Sequence, residues 1–203
     1  MCEACIVLFE SLWEYPTMQN IKELKIGRYL IKVGEFPDGF RFNIFTHDKS
    51  LFDKGVEATE AKAIDAARSL ISQQKQRKLS ERVNGIPTAE ELVEAFTAIK
   101  PSDAQWEMLK AHYNAPDRKL TSDQLADAAG YEHMYGANTQ YGLLGHKLSD
   151  YLDYMPPGKY KDRQPLWITL LVNHQGESFE EDTGFFQHEM REEVAAALKI
   201  MGF

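Results

Sequence analysis

Between Leu120 and Met155 the sequence LTSDQLADAAGYEHMYGANTQYGLLGHKLSDYLDYM constrains the fold more tightly than any other stretch. Thr121 and Gln124 have the spacing of a capping box, in which the hydroxyl accepts from a free helix-start amide and the Gln side chain reaches back. A helix is expected to begin there and to end at Gly130, where a left-handed backbone costs glycine little. A second helix follows, because Ala137, Tyr141, Leu144, Leu148, Tyr151 and Met155 recur at steps of four and three and form one apolar stripe. Asn138, Gly142, Lys147, Asp150 and Asp153 lie opposite, and Pro156-Pro157-Gly158 stops the helix. Two capped helices joined by a glycine-containing turn form a helix-turn-helix pattern, which points to nucleic-acid recognition.

Electrostatics argue against the simplest version of that reading. The chain of 203 residues has a net charge of −8, unevenly spread. Residues 1–85 hold 13 Lys and Arg against 12 Asp and Glu, whereas residues 86–203 hold 10 against 19. The half with the helix pair is the acidic one, and DNA phosphates are usually met by clustered cations.

No apolar run approaches the roughly 20 residues of a membrane helix. The opening CIVLFESLW contains Glu10 and lacks the basic flank and small-residue cleavage site of a secretory signal. A cytoplasmic location without membrane association is the expectation. Met18 offers a second start, which would make residues 1–17 dispensable. Cys2 and Cys5 form a lone C-x-x-C without a second ligand pair or a thioredoxin-like context, so a structural or incidental role is expected.

The alternating runs RYLIKVGE (Arg28 to Glu35) and FRFNIFT (Phe40 to Thr46) flank the turn signal Phe36-Pro37-Asp38-Gly39 and read as a β-hairpin. Val56 to Leu79 reads as a helix with Ala63, Ala66, Ala67, Leu70 and Ile71 toward the sheet. Asn84-Gly85 marks a break. Thr88 with Glu91, and Ser102 with Gln105, then open two helices. After the helix pair, LWITLLV (Leu166 to Val172) is a buried strand candidate, followed by a polar turn and a second strand near Phe185-Phe186. A strand, a turn and a strand after a recognition-type helix form a wing. The last helix is expected over Glu189 to Met201, with Met190, Val194, Ala197, Leu198 and Met201 inward. The fold class is α+β: an N-terminal β-β-α unit over 1–80, a linker over 81–86, and a mostly helical domain with a short wing over 87–203.

Thr121, Leu125, Ala126, Ala129, Gly130, Tyr131, Ala137, Asn138, Tyr141, Gly142 and Leu148, with Trp167 and the closing E-V-x-x-A-L-x-x-x-G, resemble a winged-helix-like module. Such modules accompany HNH-type and related restriction endonucleases in bacteria. The resemblance covers Pro101 to Phe203 and implies a bacterial or phage protein tied to DNA metabolism or defence. The chain has no H-N-H cluster or paired Cys motif, so the nuclease chemistry is not carried over.

If the long helix enters a major groove, Asn138, Thr139 and Gln140 are the readers, since Asn and Gln can pair with adenine N6 and N7. His146 and Lys147 then lie nearer the backbone. A second reading makes Asn138 a helix cap and Tyr141 and Tyr151 packing residues. The basic tail Lys75, Arg77, Lys78 and Arg82 is the best local phosphate-binding surface, or else a solvated helix end whose cations complement the dipole. Phe40, Phe42 and Phe45 suit either base stacking or a core. None of His47, His112, His133, His146, His174 and His188 has metal-ligand spacing, and no G-x-S-x-G elbow is present. Neither a metal, a cofactor nor a catalytic site is expected. The acidic run Glu177, Glu180, Glu181 and Asp182 suits a solvated turn, a divalent cation, or imitation of phosphates toward a basic protein partner. The leading expectation is a non-catalytic DNA-binding protein; the alternative is an acidic inhibitor of a DNA-binding defence complex.

Overall fold

The computed structural model describes residues 19–156, 165–173 and 187–203. It is an α+β protein whose contacts divide it into two compact units, 1–77 and 78–203. The segment expected as a linker, 81–86, holds the last residue of a helix and a 3-10 turn, Val83–Gly85. In that turn Asn84 adopts a left-handed conformation, φ 53°.

Among the described residues the first unit has four strands where the sequence reading gives two. Strands β1 (Gln19–Ile26), β2 (Tyr29–Phe36), β3 (Gly39–Phe45) and β4 (Leu51–Glu57) form an antiparallel meander in sequence order. Helix α1 (Glu60–Glu81) follows. Val56 therefore belongs to β4 and not to the helix. The helix begins after Thr59, whose hydroxyl accepts from the Lys62 amide. Cross-strand rows such as Leu24, Ile31 and Ile44 share one face of the sheet. There Tyr29, Ile31, Val33, Phe42 and Ile44 pack with Ala63, Ala67 and Ile71 of α1. Gly55 makes room for this core, because a Cβ at that position would meet the Phe42 ring at 2.6 Å.

The second unit is helical around a small sheet. Helices α2 (Ala89–Ile99) and α3 (Asp103–Asn114) are followed by β5 (Lys119–Thr121), α4 (Ser122–Ala128) and α5 (Met134–Leu152). Thr88, Ser102 and Thr121 complete capping boxes with Glu91, Gln105 and Gln124, as their spacing predicts. Each such cap contributes about 1 kcal/mol. The run LWITLLV is chiefly a 3-10 helix, Trp167–Leu170, and only Val172 passes into the two-residue strand β6 (Val172–Asn173). Strand β7 is Gln187–Met190, and α6 (Glu192–Ile200) starts three residues later than the sequence suggests. The sheet order is β5-β7-β6, antiparallel throughout. Phe185 and Phe186 lie outside the described residues.

Packing fixes α5 most firmly. It presents Ala137, Tyr141, Leu144 and Leu148 to the main core, and Leu152 rather than Met155 closes the stripe because Asp153 ends the helix in a left-handed cap. Gly145 is fully inside this contact: a Cβ there would fall within van der Waals distance of the Trp167 carbonyl. Gly142, on the same helix, has open space beside it. No helix among the described residues is long and apolar enough to cross a membrane.

The two glycines give a signed test. Gly142→Ala should raise stability by about 0.5–1 kcal/mol, because alanine loses less backbone entropy in a helix. Gly145→Ala should lower it by about 1–3 kcal/mol, because overpacking outweighs propensity. Denaturant midpoints of the two variants measure this, and equal gains at both positions would refute the close approach.

Candidate nucleic-acid interface

The turn between α4 and α5 is built as the sequence indicates. The Gly130 amide donates to the Asp127 carbonyl and the Tyr131 amide to the Ala126 carbonyl, which closes α4 with Gly130 at φ 71°. Helix α5 then begins after His133. Asn138 consequently lies a full turn inside the helix and is not its cap. It is half-buried, and its Oδ1 meets no donor among the described residues.

Gln140 is also drawn away from a reading role. Its backbone carbonyl accepts from Gln105 Nε2 at 3.1 Å, and its own Oε1 lies 3.4 Å from the same nitrogen. Gln105 in turn is the reciprocal member of the α3 capping box. The solvent stripe of α5 is instead Tyr135, Thr139, Leu143 and Lys147, with Tyr135 74% and Leu143 44% exposed. His146 stacks on Trp167 with ring centroids 4.2 Å apart, and its Nε2 lies 3.5 Å from Asp150. Only one Lys or Arg, Lys147, lies on α5.

The basic tail does not act as one surface. Lys78 is paired with Glu94 at 2.6 Å. Arg82, with a side chain 4% exposed, forms a two-bond fork with Glu91 and donates to the Leu152 carbonyl at 2.8 Å. Both are engaged within the second unit, and removal of Arg82 would leave the Glu91 carboxylate, 4% exposed, without its cation, whereas Glu94 also accepts from the Tyr151 hydroxyl. Lys75 turns back over Gly27 in the first unit, and Lys75 and Arg77 both have partners within the structure.

A different cationic surface exists, on the face of the four-stranded sheet that α1 does not cover. Cross-strand rows run from Lys25 through Leu30 to Phe45, from Glu23 through Lys32 and Asn43 to Lys54, and from Gly34 through Arg41 to Val56. Lys32 is paired with Glu23, and Arg41 with Asp38. Lys25 and Lys54 are exposed and form no ion pair among the described residues. Of the three phenylalanines considered for stacking, Phe42 is core, Phe40 packs against it, and Phe45 is on the outer face. The missed signal was the alternation itself: the residues out of phase with Ile31, Val33, Phe42 and Ile44 are the polar and basic ones.

No group of three potential metal ligands occurs among the described residues. His112 is completely buried; its Nδ1 lies 3.0 Å from the Tyr141 hydroxyl and its Nε2 2.8 Å from the His188 carbonyl. The neutral ring satisfies both contacts, with Nε2–H donating to the carbonyl and Nδ1 accepting from the hydroxyl. His188 Nε2 lies 3.0 Å from the Ser122 hydroxyl. Cys2, Cys5, Met18, His174 and the acidic run Glu177, Glu180, Glu181 and Asp182 lie outside the described residues.

A scan against protein-family models, a search of curated proteins and a search of solved structures each gave no match.

Burial pushes the His112 imidazole down to about 4, against the smaller upward pull of its bond to the His188 carbonyl. The unfolded chain binds this proton near pH 6.5. Between about 6.5 and 4 the unfolded state therefore holds more protons, and stability falls as the pH drops through that window. The loss should approach about 3 kcal/mol by pH 4. Denaturant unfolding of the native protein and of His112→Asn across this range measures it: the variant should start lower and slope less. A native stability that stays flat over the window would contradict the buried neutral ring.

Proposed function

We propose that the chain is a non-catalytic DNA-binding protein. The observation that carries the reading is the order of elements in the second unit: α3, β5, α4, α5, β6 and β7, with β5 and β6 flanking β7. This order supports the reading of a winged helix in which α5, the third helix, is the recognition helix. The link to bacterial or phage defence rests on the resemblance of Pro101 to Phe203 alone. Thr139 and Lys147 are the contacts of α5 in this reading, with His146 beside them. Phosphate attraction comes from Lys25 and Lys54 on the first unit's sheet, with Phe45 alongside for base stacking.

A specific observation favours a second reading. Tyr135 and Leu143 on α5 are exposed apolar side chains, bordered by Glu132 and Asp150, both exposed. An aromatic and an aliphatic anchor with an acidic border suit a basic protein partner better than a phosphate backbone.

Fluorescence anisotropy with duplex and single-stranded DNA at two salt concentrations separates these. The DNA reading expects affinity that falls with salt. Lys25→Ala and Lys54→Ala should weaken all sequences alike, and each should reduce the slope of log affinity against log salt by about 1. Tyr135→Ala and Leu143→Ala should leave that slope unchanged. An absence of salt-dependent binding to either form of DNA would overturn the proposal.

A further inference from the structure

A cleft of about 520 Å³ opens in the second unit, away from the solvent stripe of α5. Its walls come from the end of α1 and the chain that follows it (Leu79, Arg82, Ile86), the residues after α5 (Asp153, Tyr154, Met155) and the residue that precedes α6 (Arg191). Leu79, Ile86 and Met155 make part of the lining apolar. The volume is in the range of small-molecule sites.

Its two guanidinium groups differ. Arg82 has its charge met by Glu91. Arg191 is only 8% exposed, yet among the described residues its side chain has a single polar contact, from Nε to the Thr169 carbonyl at 2.7 Å. It forms no ion pair with any described residue. Its backbone amide is held by the Leu171 carbonyl, so the side chain leaves the backbone in a fixed position. A buried cation without an anion is costly unless something supplies the missing charge. Arg191 lines the open cleft, and a guanidinium there can take a bidentate oxyanion on the nitrogens that have no partner among the described residues.

Tyr154 adds a donor. It lines the same cleft, and burial raises its hydroxyl above the ordinary value, against the opposing charges of Arg191 and Arg82. The hydroxyl therefore stays protonated at neutral pH. Among the described residues, Glu91 is paired with Arg82 and Glu192 with Arg118, and Asp153, which lines the cleft, has its own partner. Glu193 acts on Tyr154 from the first turn of α6.

We propose that this cleft binds a small organic carboxylate, with the carboxylate on Arg191 and Tyr154 and its apolar part against Leu79, Ile86 and Met155. One unpaired guanidinium and apolar walls match a monoanion; a phosphate dianion would leave a charge uncompensated. The site is independent of any nucleic-acid contact.

The test uses the full chain with benzoate as the probe, benzamide as its uncharged counterpart and acetate as a carboxylate without the apolar part. Binding is followed by NMR of the Ile86 and Met155 methyl groups. Benzoate should shift both signals saturably, with benzamide and acetate at least about tenfold weaker. Arg191→Lys should weaken benzoate by about tenfold or more, since it keeps the charge and loses the fork. Met155→Glu puts a negative charge at a position 64% exposed, where the fold tolerates it, and should abolish benzoate binding while leaving the unfolding midpoint near that of the native chain. Absence of saturable shifts with benzoate, equal binding of benzamide, or unchanged benzoate affinity in Met155→Glu would each overturn the assignment. The DNA-binding assay is unaffected by any of these results, so the two proposals fail separately.

Discussion

The ion pair of Arg82 and Glu91 joins three pieces of chain that sequence distance keeps apart. Glu91 is the third residue of α2 and completes its capping box, with Oε2 accepting from the Thr88 amide. The same carboxylate receives the Arg82 fork from the end of α1, and Arg82 also donates to the last carbonyl of α5, at Leu152. Two charges that are both nearly out of water are costly to desolvate, and the cost is offset only when their hydrogen-bonding capacity is met. Here three acceptors meet the guanidinium, and three donor contacts meet the carboxylate. Removing one partner would leave the other buried and charged, at a cost of about 3–5 kcal/mol.

That arrangement also explains why the basic tail misleads when read as sequence. Lys75, Arg77, Lys78 and Arg82 lie within eight positions and look like one cationic surface. The acids that consume Lys78 and Arg82 sit on α2, as Glu94 and Glu91, and no local pattern connects them. Gln140 is engaged in the same way by a residue that no local pattern reveals: its partner Gln105 is 35 residues away. Features set by neighbours three or four residues apart were legible, because they depend on helix-start geometry alone. The three capping boxes and the Gly130 termination belong to this class.

Strands fared differently, and exposure accounts for it. The edge strand β1 carries Lys22, Glu23 and Lys25 and is mostly solvated, so no apolar alternation marks it. In β4, Gly55 takes the place of an apolar residue because the Phe42 ring fills the space. LWITLLV reads as a strand because it is apolar and short, but burial on every side also suits the 3-10 helix that lies against α5. Periodicity cannot separate those two cases. The free cations of the outer sheet face were hidden with the strands that carry them, and the cleft beside Arg191 depends on contacts from three elements.

The close approach of Gly145 to the Trp167 carbonyl acts as an index mark for α5. Backbone against backbone leaves no side chain that could swing aside, so the rotational phase of the helix is set at one point along its length. A helix held in phase by its inner side has an outer side free to vary. Tyr135, Thr139, Leu143 and Lys147 can then be exchanged without moving the scaffold, and the same fold can present a different surface chemistry from one sequence to the next.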